Sequence, residues 1–460
     1  MPSLLARKRI TVLALSLALI AFYLPPITHQ LRVFGILSRP SDSLGNTHSL
    51  SSANVRIIRG TEYCEDLHLH GGSGLLVTAC EGEQEDRRGW FPPLGIFDRP
   101  PVRGGPRGSL VVVDPQTFTA KTLELRGYDD IFVTHGIDIV DDPEDPTAIY
   151  IHAVNHAPAT SSPSSPSPSA PPGPHLAASR IEVFHHTLTT SYATHIRTIS
   201  HPLIRTPNDI LSLSPTEILV TNDHRYKSGF MRHVEDVVTH PWAPKTDIVR
   251  LVFDLGVTGE GKGVQGVEAS VVLDAIHNGN GLGHGPAGEV VIGDAAGGVL
   301  HLANLIPPSS PTTTDSSTST STSGTPRLQI HQSIPLLSTI DNPSFYTSPE
   351  GTKSGYILAG LSKGASLGPN ARDRGYKHPV VVWYVPLLAD GDAGVERIDG
   401  NRRVGQPHVL FADDGGLIST ASAAVIVDRP SAAGEGEGVE RWLFVTGFMS
   451  DAMIAVKVDL

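Results

Sequence analysis

This chain is short of helical pattern, of charge and of cysteine. Beyond its first two dozen residues no long segment repeats apolar side chains every 3.6 residues, apart from a loose alternation of aromatics and charges over residues 226–240. Charged residues make up 18%, against an ordinary ~25%. The formal net charge of −12 argues against nucleic acid as a partner, and an acidic surface suits a secreted or a cation-binding protein. There is no Gly-x-Ser-x-Gly elbow, no His-Glu-x-x-His, no phosphate-binding loop and no Cys-x-x-Cys, so the usual signatures of serine, zinc, nucleotide and thiol chemistry are missing. There is also no Asn-x-Ser/Thr sequon, because Asn342 is followed by Pro343. A secreted form would lack N-glycans.

The only two cysteines are Cys64 and Cys80. Two short runs, residues 61–70 and 74–80, flank Gly71-Gly72-Ser73. A turn centred on Gly72 sets positions 64 and 80 opposite each other. That register permits a cross-strand disulfide in an oxidising compartment, and two buried free thiols are the alternative.

What the chain has in quantity is punctuation: 46 glycines and 37 prolines. Between them lie apolar runs of strand length, among them Leu75 to Thr78, Ser109 to Val113, Ile149 to Val154, Ile218 to Thr221, Val380 to Tyr384 and Trp442 to Thr446. So many strands in one chain predict a single large all-β fold. A propeller with blades of four strands suits best, and a pair of β-sandwiches is the structural alternative.

The domain reading follows. Residues 1–27 form a signal peptide or signal anchor: Arg7-Lys8-Arg9 lies directly against Ile10 to Leu24, a charge-free run nearer to the ~7–15 residues of a signal core than to the ~20 of a membrane span. This directs the chain into the secretory pathway, secreted or held to a membrane by an uncleaved N-terminal segment. Residues 28–54 read as a stalk or extended lead-in. Residues 55–460 form the propeller, interrupted by disordered surface inserts at about 157–174, 307–326 and 431–438, where Ser, Thr, Pro, Ala, Gly and Glu replace apolar side chains.

Two patterns carry chemistry. Residues 132–156 read as a hairpin turning at Asp141-Asp142-Pro143-Glu144-Asp145-Pro146, which brings His135 and His156 to the same edge of a sheet. One ring of such a pair can accept a proton while the other orients it. With 21 histidines in the chain, the hairpin alone does not assign that role. Second, one acid pair, Glu65-Asp66, and three acid–amide pairs, Asn208-Asp209, Asn222-Asp223 and Asp341-Asn342, stand at the ends of apolar runs. Hard cations such as Ca²⁺ take six to eight oxygens, and strand starts converge on a propeller's axis. Taken singly, each pair also suits a turn. His68 and His70 share a strand face and suit a transition metal or open solvent.

In their order along the chain, Glu65-Asp66-Leu67, His135-Gly136-Ile137, Val154-Asn155-His156, Asn208-Asp209-Ile210, Thr221-Asn222-Asp223-His224, Gln265-Gly266-Val267, Asp341-Asn342 with Ser344, and Ser419-Thr420-Ala421-Ser422 resemble the paraoxonase/arylesterase family of six-bladed propeller lactonases, in a form like its fungal members. The resemblance implies two Ca²⁺ ions. Glu65, Asn208, Asp341 and Asn342 would hold the catalytic one, with Gln265 where the family has an asparagine. Asp66, Asp209 and the backbone carbonyl of Ile137 would hold the structural one. It implies His135 as general base, His156 as its partner, Asp223 and His224 as a supporting pair, and a small-molecule lactone or ester as substrate. The family's animal members join their ends by a disulfide; this chain ends without cysteine, so closure is expected from strand pairing in the last blade. The resulting expectation is a Ca²⁺-dependent hydrolase. A non-catalytic, calcium-stabilised binding propeller and a calcium-independent, strictosidine synthase-like propeller enzyme are the alternatives.

Overall fold

The computed structural model describes residues 23–40, 54–82, 84–105, 107–159, 176–237, 245–256, 263–308, 325–388, 404–430 and 439–460. The expected leader and the three expected inserts lie wholly or largely outside these residues. Among the described residues, no helix is long and apolar enough to cross a membrane.

Among the described residues, six large and mostly antiparallel sheets, five of four strands and one of five, are arranged in a ring as a six-bladed β-propeller. Their innermost strands are Cys64–Leu69, Thr134–Asp141, Pro207–Ser214, Gly279–His284, Pro343–Tyr346 and Ala421–Pro430, and these define blades 1 to 6. The second blade gains a parallel edge strand, Glu124–Arg126.

The apolar side chains form six principal clusters, each lying between two successive blades. A middle strand is therefore covered on both faces. In Ser109–Asp114, Leu110 and Val112 pack toward blade 2, while Val111 and Val113 pack toward blade 6. That is why the strands read as unbroken apolar runs instead of alternating with polar residues.

The ring closes as expected. Strand Val55–Ile58 pairs antiparallel with Met453–Val458, from Val55 opposite Val456 to Ile58 opposite Met453, so the first and last described strands share blade 6. Cys64 and Cys80 face each other across the first two strands of blade 1 and are disulfide-bonded.

Two local expectations are corrected or narrowed. Residues 28–54 were expected to be extended, but residues 23–33 are helical. This helix ends at Gly35, whose left-handed backbone (φ 66°) closes the last turn. It docks on the ring: His29 Nε2 donates to the Gly297 carbonyl at 3.0 Å, Gln30 Nε2 donates to the Ala296 carbonyl, and the Ala365 amide donates to Phe34 O at 3.1 Å. The weak helical signal of residues 226–240 resolves to a helix over Phe230–Val237.

Candidate functional site

The hairpin expected over residues 132–156 is the first two strands of blade 2, Thr134–Asp141 and Ala148–Asn155, with a register shift between Ala153 and Asn155. Both histidines are buried. His156 Nε2 lies 3.2 Å from His135 Nδ1, and His156 Nδ1 lies 2.9 Å from Ser179 Oγ. If His156 Nδ1–H donates to Ser179, its Nε2 is left to accept from His135 Nδ1–H. The lone pair of His135 Nε2 then remains available. His135 lines a cavity of about 530 Å³. Burial, reinforced by the neighbouring His156 and Arg87, holds the His135 pKa well below its ordinary value. Burial likewise pushes His156 down to about 3. Both rings are neutral at pH 7, as a proton acceptor must be.

The inner strands of blades 1, 3, 4 and 5 begin at the same end of the axis as His135. Glu65 Oε1 accepts from Asn342 Nδ2 at 2.9 Å, and Asn208 Nδ2 donates to Asp223 Oδ2 at 3.3 Å. These bonds turn the amide nitrogens away and leave the oxygens behind. Glu65 Oε2, Asn208 Oδ1, Asn280 Oδ1 and Asn342 Oδ1 are all buried and without a hydrogen-bond partner among the described residues. Each such oxygen costs about 1–3 kcal/mol. The carboxyls nearby carry the same message. Burial raises Glu65 well above the carboxylate range, and Asp341 and Asp66 add to the rise. Burial also raises Asp341, with Asp66 and Asp223 contributing.

The set therefore has an excess of inward oxygen and negative charge that a hard cation would relieve, and its donors suit Ca²⁺ chemistry. Among the described residues, no three His, Cys, Asp or Glu side chains are preassembled as a metal cage. The orphaned atoms here are mostly amide oxygens.

Asn280 was missed, and Gln265 stands corrected. Gln265 lies in an exposed turn before the outer strand Val267–Ile276, where its carbonyl accepts from Arg197. Asn280 sits on the inner strand of blade 4, and with Asn208, Asp341 and His135 it lines the cavity. The available signal was Gly279-Asn280-Gly281 at the start of a strand. A Cβ on Gly281 would stand 2.4 Å from Asn342 Cα and 2.6 Å from its Oδ1, so the glycine is required by close approach and not by a turn.

The second expected set lies deeper and is better satisfied. Asp66 accepts from the amides of Leu67 at 2.7 Å and Ile137 at 3.0 Å. Asp209 accepts from the amides of Ile210 at 2.7 Å and Leu282 at 2.6 Å. Burial raises Asp209 well above its usual range, with Asp66 and Glu65 adding repulsion. Ile137 thus stands beside Asp66, and the contact runs through its N–H.

His68 is not solvent-facing. It bridges Asp66 (3.0 Å) and Asp138 (3.3 Å), which overcome burial and raise it to about 9. His70 instead turns to Ser73 and Asp141. Asn222 is occupied by backbone: its Oδ1 accepts from the Arg205 and Thr206 amides, as a turn residue does. Its neighbour Asp223 does face the cavity, 2.9 Å from His224 Nδ1. That histidine outweighs the effect of burial and holds Asp223 well below the carboxylate range.

Residues 174–249, which include Asn208, Asp209, Asp223 and His224, match the Arylesterase family. The chain is also 26% identical over 203 residues to serum paraoxonase/arylesterase 2 of Rattus norvegicus, covering 42% of this chain and 47% of the relative. The resemblance is to the paraoxonase/arylesterase family.

Serum paraoxonase/lactonase 3 of Homo sapiens is 27% identical over 135 residues, 29% of this chain and 32% of that protein. Serum paraoxonase/arylesterase 1 of Mus musculus is 28% identical over 225 residues, 45% and 54% respectively. The chain spans about half or less of the length of the curated relatives it matches. Among solved structures, the PQQ-bound aldose sugar dehydrogenase of Streptomyces coelicolor aligns with a TM-score of 0.41 at 14% identity, over 88% of this chain and 98% of that one. The periplasmic gluconolactonase of Pseudomonas aeruginosa aligns with a TM-score of 0.31 at 12% identity, over 86% and 84%.

Proposed function

We propose that this protein hydrolyses small-molecule lactones or aryl esters. The observation that carries the reading is the pairing of a neutral, cavity-facing His135, backed by His156, with the orphaned amide oxygens of Asn208 and Asn280 in the same cavity and with Glu65, whose Oε1 lies 3.9 Å from His135 Nε2. The partial matches to arylesterases and paraoxonases support it.

Glu65, Asn208, Asn280, Asp341 and Asn342 are the residues that would hold a Ca²⁺ ion. Asp66, Asp209 and the Ile137 carbonyl would hold a second. When bound, the first ion supplies polarisation of the substrate carbonyl. His135 Nε2 takes the proton from the attacking water, and the charge that develops on its ring is steadied through Nδ1–H by His156 and, behind it, Ser179. Asp223 faces both histidines electrostatically and favours the transient imidazolium. Phe34, Phe91, Leu94, Ile340, Leu361 and Phe448 form apolar cavity wall and receive the organic part of the substrate.

The test is turnover of a panel of γ- and δ-lactones and aryl acetates by the full chain, with and without a chelator, beside His135→Gln. Turnover that needs Ca²⁺ and His135 supports the reading. Absence of turnover in calcium-loaded protein favours a binding propeller, and turnover indifferent to chelator favours a calcium-independent enzyme.

A further inference from the structure

Residues 84–97 are inserted between the second and third strands of blade 1. They form a short helix, Gln84–Gly89, and a two-stranded hairpin, Trp90–Phe91 with Ile96–Phe97. Within the insert Arg87 is fully buried, 0% exposed. Phe91 and Ile96 pack in an apolar cluster with Tyr63, Ala371, Phe448 and Met449. A desolvated guanidinium is costly there, and an apolar side chain of similar volume would fill the space more cheaply. Its contacts show what it does instead.

Arg87 Nη1 donates to the Thr134 carbonyl at 3.0 Å, and Nη2 donates to the Tyr63 carbonyl at 3.1 Å. Thr134 directly precedes His135, and Tyr63 lies two residues before Glu65. Thr134 is gripped from its other side by Glu81 Oε2, which accepts from its amide at 3.1 Å and its hydroxyl at 3.2 Å and lies 3.7 Å from Arg87 Nη2. The Arg87 guanidinium also stacks over the Phe91 ring at 4.4 Å, and Phe91 meets His135 edge-on at 5.3 Å. Three residues on, Trp90 Nε1 donates to the His156 carbonyl at 2.7 Å. One insert therefore holds both histidine-bearing segments and ties them to the strand that carries Glu65.

We propose that Arg87 is a positioning residue of the hydrolytic site: by bridging the Thr134 and Tyr63 carbonyls and packing on Phe91, it sets the His135 imidazole against the Glu65 strand. This rests on the hydrolase reading. Small displacements of a reacting group cost rate steeply, while substrate affinity comes mostly from the cavity wall. The guanidinium charge lies close enough to act on His135, His156 and Glu65, which agrees with this placement.

The test uses the full chain with Arg87→Lys, Arg87→Met and the shape-preserving Glu81→Gln. Hydrolysis of phenyl acetate and of a γ-lactone is measured together with the ¹H–¹⁵N signals of the histidine rings. Arg87→Met is expected to lose on the order of 10²-fold in kcat with KM within about twofold. Arg87→Lys should recover part of the loss, and Glu81→Gln should move in the same direction as Arg87→Met. In each variant the His135 and His156 ring signals should shift or broaden. If Arg87→Met does not fold, Arg87→Lys and Glu81→Gln carry the test. Folded variants with wild-type kcat and unchanged ring signals overturn the proposal. If the wild-type protein turns over no ester or lactone but the ring signals move in the variants, the positioning role stands and the hydrolase reading falls.

Discussion

Asn342 Nδ2 donates to Glu65 Oε1 across 2.9 Å, joining residues 277 apart in the chain and linking blade 5 to blade 1. The bond has a consequence beyond closure. It fixes which end of the amide points inward, so Asn342 Oδ1 and Glu65 Oε2 are left together without donors. A folded ring of this sequence therefore carries stored electrostatic cost at its axis, and binding a cation to the native state alone would recover it as stability.

The first prediction concerns that cation. Full-length protein is expected to bind Ca²⁺, and chelation is expected to lower its thermal midpoint as well as its turnover. Asn280→Ala should weaken Ca²⁺ binding by at least the ~10-fold that loss of even an outer-shell partner costs. Gln265→Ala should leave affinity unchanged, because that side chain lies in an exposed turn. Titration calorimetry on both variants decides; a Gln265 effect with no Asn280 effect would reverse the assignment.

The second concerns the base. His135→Gln should lose roughly 10²–10⁴ in hydrolytic rate, the span expected for a general base. His156→Gln should lose less, since its ring acts through His135. Circular dichroism and Ca²⁺ content should match wild type in both. Wild-type rates in His135→Gln would remove it from the chemistry.

The third concerns pH and stability. His152 is buried on the second strand of blade 2, with Nδ1 2.8 Å from Ser212 Oγ and Nε2 3.2 Å from the Pro215 carbonyl, and burial lowers its pKa to about 4. The unfolded ring titrates near ~6.5. Between those values the unfolded chain binds more protons than the native one, so the contribution is full above about pH 6.5 and drains away as pH falls toward 4. Urea unfolding of wild type and His152→Gln should show a stability difference that shrinks by on the order of 3 kcal/mol between pH 7.5 and pH 4. A difference independent of pH would show that the ring does not titrate this way.

The fourth concerns the disulfide. Cys64 and Cys80 close a loop of 16 residues in sequence separation. Replacing both with alanine is expected to cost about 3 kcal/mol, the loop-entropy value for that size. Because Cys64 adjoins Glu65, Ca²⁺ affinity should fall too. Denaturant unfolding and calcium titration read the two effects separately, and a variant as stable as wild type would contradict the first.

Much of this molecule was written in local pattern. Strands buried on both faces leave unbroken apolar runs, and Leu110 to Val113 declares itself without any knowledge of its neighbours. The turn at residues 141–146 brings His135 and His156 to the same end of one hairpin, and the turn at Gly72 brings Cys64 near Cys80, although a register shift in each hairpin sets the final pairing. What the chain could not declare depends on blades far apart in sequence. Gln265 and Asn280 are both amides near glycine, and nothing local distinguishes them; only the close approach of Gly281 to Asn342 decides which one meets the axis. The helix over residues 23–33 takes its place from loops near residues 297 and 365. Arg87 reads as one of two arginines in a polar stretch, and its role emerges only when Tyr63 and Thr134 present their carbonyls to it. Local chemistry determined the strands and their hairpins, whereas the ordering of polar atoms around a shared axis was decided by packing, since contacts such as Asn342 to Glu65, Ile137 to Asp66 and Leu282 to Asp209 join different blades.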